Sequence, residues 1–189
     1  MDNLIPLYTS LNGRIGRKTW WLASIALAVV ILIVEFVILA PLGFSYSLNV
    51  SSLTAANTGD AAAASAALAA GFQKSIWAAL IVTVIFGLPI VALGVKRRHD
   101  RGNNGIDLMV FYAIVIVLDL LQAFGLGYTT LEVASGVSAP VPSMPLTIIN
   151  MLVGIYGIYL LVVLGFLKGT PGANQYGPDP TGVGLAAAA

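Results

Sequence analysis

The sequence predicts an all-α membrane protein, a bundle of four transmembrane helices with both termini in the cytoplasm. Three observations predict it. Of 189 residues, 58% are hydrophobic and only 9% are charged, whereas a soluble domain carries about 25% charged residues. Four stretches approach or exceed the roughly 20 apolar residues that cross a bilayer core. Basic residues collect between alternate stretches, as they do in cytoplasmic loops.

The elements follow in order. Residues 1–19 form a polar approach containing Arg14, Arg17 and Lys18. The first span runs from about Trp20 to Leu42. It is too long for the apolar segment of a secretory signal, and Glu35 interrupts it, so no cleaved leader is expected. Residues 43–74 read as a periplasmic loop with an alanine-rich centre. Alanine favours helix, and Thr58 or Asp60 would cap a short helix there. The second span covers about 75–95, with a kink expected at Pro89, which removes a backbone hydrogen bond. Residues 96–105 form a short basic loop. The third span covers about 106–126. Residues 127–144 read as a loop rich in Ser, Gly and Pro, and the fourth span covers about 145–167. The remainder is Gly/Pro-rich and lacks helical periodicity. Residues 1–180 read as a single four-span domain and 181–189 as a short tail. The spans are not barrel strands, because LASIALAVVILIV shows no two-residue alternation.

Orientation comes from the cations. Arg14, Arg17, Lys18, Lys96, Arg97, Arg98, Arg101 and Lys168 fall on one side of the four-span model, and only Lys74 falls on the other. The positive-inside rule makes the first side cytoplasmic. Trp20, Trp21 and Trp77 lie near span ends, where indoles prefer the interface.

Three segments then carry a resemblance. They are Gly13-Arg14-Ile15-Gly16-Arg17-Lys18-Thr19-Trp20-Trp21, the run Lys96-Arg97-Arg98-His99-Asp100-Arg101-Gly102-Asn103-Asn104-Gly105, and the run from Gly169 to Pro180 containing Asn174, Tyr176, Gly177 and Asp179. Together they resemble the YhaH-like family of small bacterial inner-membrane proteins, catalogued as domain of unknown function eight hundred and five. Its pattern is G-R-x-x-R-x-x-[FW]-W, then R-R-x-H-D-x-G-x-S-G-W, then G-x-x-G-x-N-x-[YF]-G-x-D-P. The resemblance covers the chain from about Leu7 to Pro180. It departs where the family has Ser-Gly-Trp and this chain has Asn104-Gly105-Ile106, where Arg98 replaces an apolar residue before the histidine, and in a longer loop between the first two spans. The resemblance implies a multi-pass location in a bacterial inner membrane, and it implies no reaction.

All three motifs fall on the cytoplasmic side, which suggests one platform built from Gly13, Arg14, Arg17, Trp20, Arg97, Arg98, His99, Asp100, Gly102, Gly105, Asn174, Tyr176, Gly177, Asp179 and Pro180. The tail is expected to fold back so that Asp179 or the Asn174 amide meets one of the platform arginines. Topology alone explains the basic charge, with lipid head groups as its partners. It does not explain why a His-Asp pair or the Asn, Tyr and Asp of the tail should be there. Guanidinium groups also fork onto carboxylates and phosphates. His99 with Asp100 supplies too few ligands for a zinc site, so no metal and no cofactor is expected.

A second set lies within the spans. Glu35 is 15 residues past Trp20 and Asp119 is 13 past Ile106, about 22 and 20 Å along the axis at 1.5 Å per residue. Both therefore reach a similar depth. Tyr112, Asp119 and Gln122 share a helical face, and Asn150 enters near the same level. Ionisable groups inside spans are functional candidates by default, although a structural pair sharing a proton explains them equally well.

Three functions stay open on this reading. The leading one is a non-enzymatic membrane component whose cytoplasmic face binds anionic lipid head groups or a partner protein. The alternative is a proton- or cation-linked transporter or channel, acting as a homo-oligomer through Glu35 and Asp119. The third is a head-group enzyme using His99 and the arginines. No catalytic residue is assigned, and a net charge of +1 points to no nucleic-acid partner.

Overall fold

The computed structural model describes residues 4–44 and 60–181. A short helix α1 (Leu4–Thr9) precedes α2 (Arg17–Ile33), which continues as a π-helical turn over Val34–Leu39. Then come α3 (Ala61–His99), α4 (Ile106–Ala123), strands β1 (Tyr128–Ala134) and β2 (Val137–Pro142), and α5 (Met144–Gly165). Four helical stretches, Arg17–Leu39, Ala61–His99, Ile106–Ala123 and Met144–Gly165, are long and apolar enough to cross a membrane. Their exposed faces carry large hydrophobic side chains such as Leu22, Ile25, Ile148, Leu152 and Ile158, the pattern of a multi-pass membrane protein rather than of a water-soluble surface.

The structure corrects the expected elements in three places. The second span is part of a 39-residue helix, about 58 Å long at 1.5 Å per residue, so most of its alanine-rich approach is not a loop. Alanine propensity drives this, and Asp60 fixes the start by accepting from the Ala62 and Ala63 N–H groups at 3.0 Å. The proposed Thr58 cap lies outside the described residues. Pro89, the expected kink site, lies inside this helix. Residues expected as loop between the third and fourth spans form an antiparallel hairpin, β1 with β2, so the fold is not purely helical. Its Tyr-Thr-Thr-Leu-Glu-Val strand is β-branched and aromatic, and Ser135-Gly136 makes the turn, with Gly136 at φ 73°. The polar approach hides α1, whose single turn is too short to show periodicity.

The chain divides into two compact units. The first comprises residues 1–31, 85–114 and 153–189. Its core is Ile15, Trp20, Ala23, Leu93, Val95, Leu108, Leu160 and Leu164. Close approach there depends on Gly94, whose missing side chain leaves room for Leu108, only 2.6 Å from where a Cβ would stand. The second comprises residues 32–84 and 115–152. It contains the hairpin, and the β2 N–H of Ser138 donates to the Ser65 hydroxyl of α3 at 2.9 Å.

Candidate functional site

The first unit gathers all three motifs. Its organiser is Asp100, one residue past the end of α3 and 3% exposed. One carboxylate oxygen accepts from Arg14, Nη2 at 3.0 Å and Nε at 3.2 Å. The other accepts from Arg97 Nη1. The Asp100 carbonyl accepts from the Thr170 N–H at 2.8 Å and the Thr170 hydroxyl at 3.0 Å. Two guanidinium groups and a carboxylate are thus buried as one cluster, the condition under which a buried ion pair holds rather than destabilises.

Arg97, with three further side chains, also serves α5. The last carbonyls of a helix have no partner within it and carry the negative end of its dipole. Here side chains supply the partners. Arg101 donates to the Val163 carbonyl at 3.4 Å, Arg97 Nε to Leu164 at 2.8 Å, the Trp21 indole to Gly165 at 3.1 Å, Arg17 to Phe166 at 3.1 Å, and Arg97 Nη2 to Leu167. Arg97 is fully buried. Its charge is spent inside the fold.

The tail closes over this cluster. Arg14 Nη1 donates to the carbonyls of Gly172 (2.8 Å) and Gly177 (3.2 Å), and Arg14 Nη2 to that of Thr170 (2.9 Å). The fold-back expected from the sequence is present. The expected contacts are not the ones that make it. Backbone carbonyls grip Arg14, while the Asn174 amide donates to the His99 carbonyl (3.0 Å) and the Thr170 hydroxyl (3.1 Å). Asp179 braces the tail internally, accepting from the Gly172 N–H at 3.0 Å and the Thr181 hydroxyl at 2.6 Å. These bonds, first the hydroxyl and then the N–H of Thr181, lower the Asp179 pKa below its usual 3.8.

His99 is 7% exposed. Its Nδ1 lies 3.1 Å from the Gly13 carbonyl, and the Tyr176 ring stacks flat on it, centroids 3.9 Å apart with planes 2° apart. Gly102 and Gly105, at φ 73° and 72°, turn the chain from α3 into α4, and the side chains of Asn103 and Asn104 accept from the Gly105 and Ile106 N–H groups. Arg98 pairs with Asp107, which also accepts from the Tyr156 hydroxyl at 3.3 Å. Pro180 packs near Gly16.

Sequence reasoning missed Gly169 and Thr170. A Cβ on Gly169 would stand 2.0 Å from Asp100 Oδ2, so only glycine lets the tail pass the buried carboxylate. It also missed Lys96, whose ammonium donates to the carbonyls of Pro6 and, at 2.8 Å, Leu7, tying α1 to α3. The signal for Gly169 and Thr170 was present in the third motif. Nothing in the sequence marked Lys96 as different from its basic neighbours.

Beside the cluster, α2, the end of α5 and the tail wall a second cavity of 580 Å³, with Arg17, Lys18, Thr19, Trp21, Gly165 and Thr181 on its sides. Arg17 and Lys18 are exposed. Among the described residues, no acid lines this cavity.

The profile of one family, described as a protein of unknown function (DUF805), matches residues 8–178. The chain belongs to the DUF805 family. No curated protein and no solved structure matches it. The match spans the first motif and all but the last residues of the third, so the cluster around Asp100 lies within the DUF805 region.

The polar residues expected within the spans sort differently. Tyr112 belongs to the first unit, where its ring covers Gly87. The other four belong to the second unit. Glu35 opens the π-helical turn and is 3% exposed; such turns are frequent at functional sites. Asp119 accepts from the Thr83 hydroxyl at 2.8 Å. Gln122 accepts from the Tyr128 hydroxyl at 2.7 Å. Burial, and then the Asp119 carboxylate, raise the Tyr128 pKa above its usual 10.0, so the phenol stays a donor. Asn150 does not join: it is exposed on α5, because its helical position turns it away from the face that packs.

Proposed function

We propose that this DUF805 protein is a non-enzymatic component of a bacterial inner membrane, with both ends on the cytoplasmic side, whose cytoplasmic face binds anionic lipid head groups. One observation carries the reading: the motif cations divide in two. Arg14, Arg97 and Arg98 face inward onto carboxylates and carbonyls. Arg17, Lys18 and Lys168 are exposed, and the first two line a cavity in which, among the described residues, there is no acid. Topology requires only positive charge. It does not require charge arranged around a recess. The stacked, buried His99 and the fully committed Arg97 act as structure on this reading, which counts against head-group chemistry at that pair.

Each surface cation near an anionic membrane contributes about 1 kcal/mol. Arg17→Gln with Lys18→Gln is therefore expected to weaken enrichment of anionic over zwitterionic lipid by about 2 kcal/mol, roughly thirtyfold. Native mass spectrometry of protein released from mixed-lipid discs reads this directly. Unchanged enrichment in the double variant rejects the reading. The orientation has its own test. Single cysteines at Asn103 and Gln175 should resist an impermeant thiol reagent in spheroplasts, and one at Ser138, on the hairpin, should react.

A second reading rests on the Asp119–Thr83 bond and the π-helical turn at Glu35. It assigns proton- or cation-linked transport to an oligomer, since four helices seldom enclose a pathway alone. It predicts proton flux in proteoliposomes that Asp119→Asn abolishes, and liposomes no leakier than empty ones exclude it.

A further inference from the structure

The first unit contains an apolar cavity of 330 Å³, lined from all four long helices by residues that include Trp20, Leu27, Ala28, Leu93, Phe111 and Leu160. That volume falls within the range of about 300–1,000 Å³ for ligand pockets. Its walls are almost wholly hydrocarbon and aromatic. Among the described residues, Ser24 and Tyr112 bring the only hydroxyls, and no charged group is there to recognise a polar head. A hydrocarbon chain, by contrast, gains dispersion contacts along the whole wall.

This cavity and the cationic recess adjoin. Trp20 and Leu164 wall the apolar one, while their chain neighbours Trp21 and Gly165 wall the cationic one. The two indoles meet edge to face with centroids 5.0 Å apart. Positive charge and a hydrocarbon slot therefore lie side by side on the same two helices. That pairing complements one molecule in which an anionic group is joined to a long apolar chain. Asp179, close in sequence to the recess, has its oxygens engaged by Gly172 and Thr181, so an outside anion meets Lys18 and the part of Arg17 that the Phe166 carbonyl does not occupy.

We infer that the first unit holds one anionic phospholipid, its phosphate on Arg17 and Lys18 and one of its acyl chains in the apolar cavity. The inference rests on the head-group reading above and adds to it a chain site and a fixed stoichiometry. The lipid is thereby a bound ligand rather than a passing neighbour.

Trp20 supplies the probe. It lines the cavity and is only 7% exposed, so bulk lipid does not reach it. In a Trp21→Phe, Trp77→Phe background, Trp20 emission is recorded in discs whose anionic phospholipid carries brominated acyl chains, bromine being a contact quencher. Loss of emission is expected. Recovery is expected when Ala28→Phe fills the cavity, with Ser24→Leu as a second filling variant should the first not fold. No loss is expected when the bromine is carried only by zwitterionic lipid in an otherwise unlabelled anionic disc. Native mass spectrometry of the chain with its tryptophans intact should show one retained phospholipid, lost on filling. If Trp20 keeps its emission while the Arg17, Lys18 double variant still loses anionic enrichment, the chain site is refuted and the head-group reading stands. If Trp20 is quenched equally by both lipid classes, the cavity takes chains without regard to charge and the inference fails.

Discussion

The two units hold acids in opposite ways. In the first, Asp100 sits between two guanidinium groups and its backbone carbonyl accepts twice from Thr170. In the second, the hydrogen bond to Asp119 comes from a neutral hydroxyl, that of Thr83. The difference shows what each is built for. A carboxylate paired with buried cations holds them in place, and removing it strands the cations. A carboxylate beside a hydroxyl is held by a neutral bond, which an amide oxygen in its place would also accept. The first arrangement depends on charge. The second depends on hydrogen-bond geometry.

The sharpest way to break this comparison is Asp100→Ala. It leaves Arg97, fully buried, and Arg14 without their counter-charge, and the expected cost is about 3–5 kcal/mol. Unfolding midpoints in a denaturing-detergent titration would measure it. A cost near zero would mean that the carbonyls alone hold the arginines.

Gly169→Ala comes next. The added methyl falls 2.0 Å from Asp100 Oδ2, and an overpacked site of this kind costs about 1–3 kcal/mol. The loss should appear first as faster hydrogen exchange at the Thr170 N–H, which donates to Asp100. Unchanged protection there would show that the tail is held elsewhere.

The smallest effect is expected in the other unit. Asp119→Asn keeps an oxygen that accepts from Thr83, so stability should shift by less than about 1 kcal/mol in either direction. A large loss would mean that Asp119 is held as a charge, and the contrast between the units would collapse.

The helices were legible because a span needs only length and apolarity, and both are local properties of the chain. Arg17–Leu39, Ile106–Ala123 and Met144–Gly165 begin and end within a few residues of the expected bounds. The hairpin was not legible. Two short strands with Pro140 and Pro142 in the second give too weak a signal until cross-strand pairing and the contact with Ser65 stabilise them. The start of α3 at Ala61 was half-read: the alanines announced a helix, and only the structure showed that it joins the span.

The sequence by itself determined that this is a DUF805 protein with four membrane-length helices and three motifs that belong together, because hydrophobic length and motif order survive without coordinates. Tertiary structure decided which charges face inward. Arg14, Arg17 and Arg97 are the same residue type in similar basic runs. What separates Arg14 from Arg17 is that the carboxylate of Asp100, 86 residues away along the chain, stands within reach of the first, and what helps enclose Arg97 is the Leu164 carbonyl, 67 residues away. A hydrogen bond depends on angstroms of separation in space, which spacing along a chain does not encode.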